Sequence, residues 1–120
     1  MKYLFDAYAI IEIIKGNKSY ELYLNEDFTT SILNLGEIYY FLLINYGEKD
    51  ADVWYNKLRD IVLFIDNEII IKAMKFKFEN RNKNFSFVDC ASYILAKENS
   101  LIFLTGDKEF KNMPNVEFVK

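Results

Sequence analysis

The chain has 120 residues, no histidine, a single cysteine at position 90 and a formal net charge of −3. One cysteine excludes an internal disulfide, and without histidine the common zinc sites and the Ser-His or Cys-His nucleophile pairs lack ligands or partners. A bound metal ion would therefore be held by oxygen atoms. The length is typical of one domain, residues 1–120, and the 52% share of hydrophobic residues predicts apolar surface that meets a partner.

The sequence gives no indication of a membrane or export segment. No apolar run approaches the about 20 residues that a spanning helix needs. Lys2 is followed at once by a predicted strand, which is not the layout of a signal peptide. We therefore expect a cytoplasmic protein without a membrane partner.

Strands and helices alternate from one end of the chain to the other. Helical apolar spacing and continuous apolar runs distinguish the two kinds of element. In chain order, the pattern predicts a strand at 3–5, helices at 7–15 and 19–24, a strand at 28–30, helices at 32–46 and 49–59, a buried strand at 61–65, helices at 67–81 and 87–98, a strand at 101–104 that is buried on both faces, and a last strand at 116–119. This alternation predicts a three-layer α/β/α domain with a mostly parallel central sheet.

The predicted helix at 32–46 is apolar nearly all round. Glu37 is the only charged residue between Asp27 and Glu48. A helix of this kind is buried on more than one side. We expect one side to face the sheet and the other to meet a second protein chain.

Four carboxylates are expected at one edge of the sheet. Asp6 follows the first strand, and Asp107 follows the strand at 101–104. Asp89 lies in the first turn of the helix capped by Ser86, and Glu37 lies in the second turn of its helix. Because helices start where parallel strands end, topology places these side chains at the edge where open α/β sheets bind ligands.

Each acid also has a simpler interpretation. Asp6 and Asp107 could each cap a helix or turn, and Asp89 could complete a capping box with Ser86. Glu37 differs, because a lone carboxylate buried in an apolar helix is costly without a partner or a metal. Four acids together repel one another unless a cation intervenes. With oxygen ligands alone, Mg²⁺ or Mn²⁺ is the natural cation, able to activate water and stabilise charge on a phosphoryl oxygen.

Four segments resemble the PIN-domain family, and the resemblance covers the whole chain. They are Leu4-Phe5-Asp6, Asn34-Leu35-Gly36-Glu37, Ser86-Phe87-Val88-Asp89 and Leu104-Thr105-Gly106-Asp107-Lys108-Glu109-Phe110. The small size is similar to that of VapC-type toxins of toxin–antitoxin pairs. The resemblance implies that Asp6, Glu37, Asp89 and Asp107 are the catalytic and metal-binding residues of a Mg²⁺- or Mn²⁺-dependent endoribonuclease. It also implies an RNA substrate, an antitoxin partner and a homodimer, with the Thr105 hydroxyl supporting the site.

Two positions depart from the family pattern. Members often have Ser or Thr just after the first acid, whereas this chain has Ala7 and then Tyr8. The residue after the third acid is commonly Ala and is here Cys90, a small residue that is often buried. Neither change removes a carboxylate, so we expect an active enzyme.

A basic and aromatic stretch leads into the Ser86 cap. Its cations are Lys72, Lys75, Lys77, Arg81 and Lys83, interleaved with Phe76, Phe78 and Phe85. It could pair phosphates and stack bases near the acids. The alternative is an amphipathic helix with a solvated lysine face, and helical spacing favours core positions for Phe76 and Phe78.

Three other functions remain open at this point. The chain could be a stand-alone PIN nuclease in RNA maturation, or a non-catalytic PIN-like module that binds RNA or protein. A phospho-acceptor receiver domain would need an acidic pair after the first strand, but Asp6 is followed by Ala7. The four glycines are isolated, which excludes a glycine-rich phosphate loop.

Overall fold

The computed structural model describes residues 2–120, and its strands form one five-stranded sheet. The strands lie in the order β3-β2-β1-β4-β5, and every neighbouring pair is parallel. Their bounds are β1 (Tyr3–Phe5), β2 (Phe28–Ser31), β3 (Val62–Leu63), β4 (Ile102–Thr105) and β5 (Val116–Phe118). The predicted α/β architecture is confirmed, with a sheet that is entirely parallel.

Within the described part of the chain, five α-helices connect and cover the strands. They are α1 (Ala7–Ile14), α2 (Ile32–Asn45), α3 (Glu48–Leu58), α4 (Asn67–Glu79) and α5 (Phe87–Glu98), with 3₁₀ helices at Lys18–Tyr23 and Lys108–Phe110. Ser31 and Asp66 cap α2 and α4, because each side chain accepts a hydrogen bond from a backbone N–H of the first turn. None of these helices is long and apolar enough to cross a membrane, within the residues that the structure describes.

The two faces of the sheet carry separate hydrophobic clusters. Tyr3 and Phe5 of β1 pack in the cluster that contains the buried residues of α1, α2 and α3. Leu4, between them, packs in the cluster formed with α4 and α5. The same alternation holds in β4, where Leu104 joins the first cluster and Phe103 the second. Successive strand residues point to opposite faces, so the sheet is the middle of three layers.

The predicted buried strand at 61–65 is wrong in length and burial. Only Val62 and Leu63 pair with β2, both are half-buried, and Phe64 is 75% exposed. β3 lies at the edge of the sheet and has one neighbouring strand. An apolar run alone does not distinguish a short edge strand from a central one, because both are rich in the same residues.

The chain changes direction across the sheet between β1 and β4. From β1 it proceeds through β2 to β3, with α1, α2 and α3 on one face, and it returns through α4 and α5 on the other face to β4 and β5. This reversal of strand order opens a crevice beyond the carboxyl ends of β1 and β4, where ligands bind in open α/β sheets.

Candidate active site

All four sequence-predicted acids line a single cavity at this crevice. Its volume is about 290 Å³, and the lining residues are Asp6, Ala7, Tyr8, Ile11, Asn34, Glu37, Asp89 and Asp107. The acids come from four different places in the fold: the ends of β1 and β4, the second turn of α2 and the first turn of α5. Parallel strands and the helix starts that follow them thus bring side chains together that are far apart in sequence.

Asp6 is the most buried of the four acids, with 5% of its surface exposed. It caps α1, since Oδ1 accepts a hydrogen bond of 2.8 Å from the backbone N–H of Ala9. Oδ2 accepts a hydrogen bond of 2.5 Å from the Thr105 hydroxyl. The pKa of Asp6 is raised to about 7, chiefly by burial and to a smaller extent by the charges of Asp89 and Asp107, while the two hydrogen bonds act in the opposite direction.

Thr105 connects the Asp6 carboxylate to the backbone of Asp107. Its hydroxyl donates to Asp6 and accepts a hydrogen bond of 3.0 Å from the backbone N–H of Asp107. The Asp107 carboxylate accepts a hydrogen bond of 3.0 Å from the N–H of Glu109 and so caps the second 3₁₀ helix. One hydroxyl therefore fixes the relative position of the β1 and β4 ends at the cavity.

Asp89 is held by a capping box at the start of α5. Its carboxylate accepts a hydrogen bond of 2.8 Å from the Ser86 backbone N–H, and its own N–H donates to the Ser86 hydroxyl at 3.1 Å. Partial burial raises the pKa of Asp89, as does the charge of Asp107, while the bonds to Ser86 and the charge of Lys77 lower it.

Glu37 lies at an exposed position of α2, so the cost of burying a lone carboxylate in this apolar helix is largely avoided. Its carboxylate still lines the cavity, where desolvation and the charge of Asp89 raise its pKa. A hydrogen bond from the Asn34 side chain acts in the opposite direction. Glu37 therefore has a polar partner within its own helix.

Asn34 is the site residue that sequence reasoning missed. It is 2% exposed and lines the cavity. Its Oδ1 accepts hydrogen bonds of 2.7 Å from both the Ser31 and the Ser92 hydroxyls. With that oxygen engaged on one side, the amide N–H₂ is left to donate to Glu37. The available signal was a polar residue three positions before Glu37 in an apolar helix, on the same helical face.

The donor atoms at the cavity match a hard divalent cation. All four acids offer carboxylate oxygens, the ligands that Mg²⁺ and Mn²⁺ prefer. Among residues 2–120, no group of three or more Asp, Glu or Cys side chains is arranged to hold an ion as they stand. The chemistry of the four carboxylates nevertheless fits a divalent metal ion. Because the carboxylates surround the cavity and do not converge on one point, their side chains would have to move to coordinate the ion together.

The basic stretch before Ser86 is only partly packed. Phe76 and Phe85 join the cluster of α4 and α5, but Phe78 is 66% exposed, so the core position predicted for Phe78 is wrong. The buried residues of α4 are Ile69 and Ala73, and Phe78 lies on the opposite face from them. Instead, the Arg81 guanidinium lies over the Phe78 ring, with its Cζ atom 4.4 Å from the ring centroid.

Comparison with known proteins establishes the family. A sequence model of the PIN domain matches residues 3–116. The chain belongs to the PIN-domain family. A search of curated proteins finds no match.

Several solved structures share this PIN fold at low sequence identity. VapC20 of Mycobacterium tuberculosis, described as a Sarcin-Ricin loop cleaving toxin, superposes with a TM-score of 0.83 at 17% identity, over 99% of this chain and 100% of that one. A toxin–antitoxin complex from Klebsiella pneumoniae gives 0.79 at 17% identity, over 97% and 96% of the two chains. VapBC2 of Rickettsia felis, bound to a promoter DNA fragment, gives 0.76 at 18% identity over 100% of both chains.

The two departures from the PIN pattern have different surroundings. Cys90 is fully buried in the cluster of α4 and α5, and burial raises the pKa of its thiol to about 11. It is therefore a packing residue and not a nucleophile at neutral pH. Ala7 and Tyr8 line the acid cavity itself, so this departure changes the wall of the site.

Proposed function

We propose that this PIN-domain protein is a Mg²⁺- or Mn²⁺-dependent endoribonuclease that hydrolyses RNA phosphodiester bonds. The observation that carries the proposal is the convergence of four carboxylates, from four elements, on one cavity at the reversal point of a parallel sheet. Independent helix caps have no reason to share a cavity. The absence of histidine leaves oxygen ligands as the means of holding a catalytic cation.

In this proposal, Asp6, Glu37, Asp89 and Asp107 hold the ion. When bound, the ion would lower the pKa of a water molecule and neutralise charge on a phosphoryl oxygen. The chain itself supplies orientation. Thr105 and the Ala9 N–H fix the two oxygens of Asp6, and the Ser86 N–H fixes one oxygen of Asp89.

The test compares wild type with Asp107→Asn on one RNA substrate. Cleavage is measured with Mg²⁺, with Mn²⁺ and with EDTA. The Asn side chain keeps the shape but removes one negative charge from the cavity, so loss of metal binding and of cleavage is expected in a folded protein. Asp60→Asn is the matched control, because Asp60 is exposed beyond the end of α3 and does not line the cavity.

Two results would contradict the metal-dependent mechanism. One is cleavage by wild type that persists in EDTA. The other is an Asp107→Asn variant that cleaves as well as the Asp60→Asn control. Circular dichroism and thermal melting of each variant separate loss of chemistry from loss of folding.

We also propose that the nuclease is the toxin of a toxin–antitoxin pair and acts on RNA in the cytoplasm. The fold shared with VapC20 and with two toxin–antitoxin complexes supports this proposal. Expression of wild type should arrest growth, Asp107→Asn should not, and co-expression of the product of an adjacent small gene should restore growth. Growth unaffected by an active enzyme would instead favour a stand-alone nuclease in RNA maturation.

A further inference from the structure

Tyr8 is an exposed aromatic residue on the wall of the acid cavity. It lies in the first turn of α1, two positions after Asp6, and 46% of its surface is exposed. Its neighbours Ala7 and Ala9 are both buried. Among residues 2–120, Tyr8 is therefore the one aromatic residue that lines the cavity beside the four acids.

A glycine in the acidic turn makes room for this ring. A Cβ added at Gly106 would lie 2.3 Å from Cε1 and 2.6 Å from Cδ1 of Tyr8, and 2.5 Å from the Tyr20 hydroxyl. Gly106 does not have a positive φ, so its backbone conformation does not require glycine. What requires glycine is the space taken by the two tyrosines. The Tyr8 ring thus contacts the turn that carries Asp107.

Tyr8 differs from the packed tyrosines among the described residues in that its hydroxyl makes no hydrogen bond. Five tyrosine hydroxyls donate hydrogen bonds, those of Tyr3, Tyr20, Tyr23, Tyr39 and Tyr93. Within residues 2–120, the Tyr8 hydroxyl makes no hydrogen bond, and the Tyr8 ring has no stacked or edge-on aromatic ring and no cation over it. The neighbouring Tyr20 hydroxyl donates its hydrogen bond to the Val119 carbonyl instead. The ring is placed by close contact with Gly106 and is left open to a ligand.

We propose that Tyr8 is a positioning residue whose ring stacks on a nucleobase of single-stranded RNA next to the bond that is cleaved. The inference rests on the proposed ribonuclease function and adds a substrate contact to it. A phosphate held through a cation at the carboxylates would have its ribose and base at the rim of the same cavity, on whose wall Tyr8 lies. The four carboxylates themselves offer the flanking nucleotide no ionic attraction, so a contact that is not ionic would add to its binding. Stacking on an aromatic ring is a contact of this kind and tolerates every base.

The test measures binding and cleavage of short single-stranded RNAs that carry 2-aminopurine at successive positions. Binding is measured with Ca²⁺ in place of Mg²⁺, because Ca²⁺ also takes oxygen ligands. Wild type should quench the fluorescence at one position beside the cleavage site. Tyr8→Ala should lose the quenching, bind about tenfold more weakly and show a higher KM with little change in kcat, whereas Tyr8→Phe should behave as wild type.

Two controls isolate stacking from other effects of the substitution. Tyr46→Ala removes a ring that is 51% exposed at the end of α2 and does not line the acid cavity, so it should bind RNA as wild type does. An abasic nucleotide at the quenched position should weaken binding to wild type by the same about tenfold factor. Tyr8→Ala should bind the abasic RNA as well as it binds the unmodified RNA, because without the ring the base has no stacking contact to lose.

The outcomes separate this inference from the function on which it rests. If Tyr8→Ala cleaves RNA with unchanged binding and KM, the stacking is overturned and the nuclease function stands. The same conclusion follows if Tyr8→Ala binds the abasic RNA more weakly than wild type does, because the lost affinity then does not come from a stacked base. RNA bound with the expected quenching but not cleaved under any divalent ion overturns the nuclease and supports the stacking. A wild type that neither binds nor cleaves RNA overturns both.

Discussion

Three of the four carboxylates at the cavity also accept a hydrogen bond from a backbone N–H group at the start of a helix. Asp6 caps α1, Asp89 completes the capping box of α5, and Asp107 caps a 3₁₀ helix. Capping and lining the cavity are therefore not alternatives. Each cap fixes one carboxylate oxygen in a defined position while the group remains at the cavity, so helix formation and the geometry of the site depend on the same side chains.

The buried Asp6 should make the metal-free protein less stable as pH rises. Its pKa in the folded protein is about 7, above the usual 3.8. The folded state then holds the proton more tightly than the unfolded state, so stability is greatest below about pH 4 for this group and falls as pH rises towards about 7. At about 1.4 kcal/mol for each pKa unit, the rise from 3.8 to about 7 corresponds to a loss on the order of 4 kcal/mol.

Thermal melts in EDTA between pH 5 and pH 8 would measure this loss. Asp6→Asn carries no charge at any pH in that range, so its melting temperature should vary less with pH than that of wild type. Added Mg²⁺ should reduce the loss in wild type, because a cation favours the ionised carboxylates. Equal pH dependence in wild type and Asp6→Asn would show that Asp6 is not the group responsible.

Asn34 should affect metal affinity through Glu37. Asn34→Ala removes the hydrogen bond to Glu37 and leaves the Ser31 and Ser92 hydroxyls without their shared acceptor. Partners that orient metal ligands typically contribute 10–100-fold to metal affinity or activity, and a loss of about tenfold is expected. The measurement is the Mg²⁺ concentration that gives half-maximal cleavage.

A second asparagine in α2 provides the control for this substitution. The Asn45 side chain donates to the Phe41 carbonyl at the far end of α2 and does not line the cavity. Asn45→Ala should therefore leave the Mg²⁺ dependence unchanged. If Asn34→Ala needs no more Mg²⁺ than Asn45→Ala, Asn34 does not orient Glu37.

At the scale of elements, the sequence predicts the helix starts better than the strands. Ser31, Asp66 and Ser86 each precede a helix that begins at the predicted residue, because a cap is a local signal. The strand at 61–65 fails because burial of a strand depends on its place in the sheet, which depends on pairing with distant residues. The same reason explains Asn34, whose partner Ser92 belongs to another helix.

The cap of α5 should matter for activity as well as for stability. Ser86→Ala removes the hydrogen bond from the Asp89 N–H, and it should lower the free energy of unfolding by about 1 kcal/mol. Asp66→Ala at the start of α4 removes an equivalent bond of 3.0 Å to the Ile69 N–H, at a position that does not line the cavity. A similar loss of stability is expected there.

Cleavage distinguishes these two cap variants. Ser86→Ala loosens the turn that holds Asp89, so about tenfold weaker cleavage is expected under conditions where both variants are folded. Asp66→Ala should cleave as wild type does. Equal activity in the two variants would show that the capping box stabilises α5 without positioning its carboxylate.

At the scale of the whole molecule, α2 leaves a large apolar surface uncovered. Tyr40 is 67% exposed, Ile44 65% and Leu43 39%. A cavity of about 490 Å³ beside them is lined by Ile32, Leu35, Gly36, Tyr39, Tyr40, Leu43, Asp52 and Tyr55. The sequence predicted that one side of this helix would face the sheet, and Leu35, Ile38 and Leu42 do pack in the core. Its other side is the apolar surface that an additional chain could cover.

We predict that the protein forms a homodimer in which this surface of α2 contributes to the contact. Resemblance to the family favours a two-fold dimer, in which the same patch meets itself. Tyr40→Glu places a charge in the centre of the patch, where burial without a partner is unfavourable, and it should weaken the dimer by about tenfold or more. Leu22→Glu is the matched control, since Leu22 is 84% exposed on the first 3₁₀ helix and does not line this cavity. Light scattering across a range of protein concentrations measures the fraction of dimer. The prediction is contradicted if wild type stays monomeric at high micromolar concentration. It is also contradicted if Tyr40→Glu is as dimeric as Leu22→Glu.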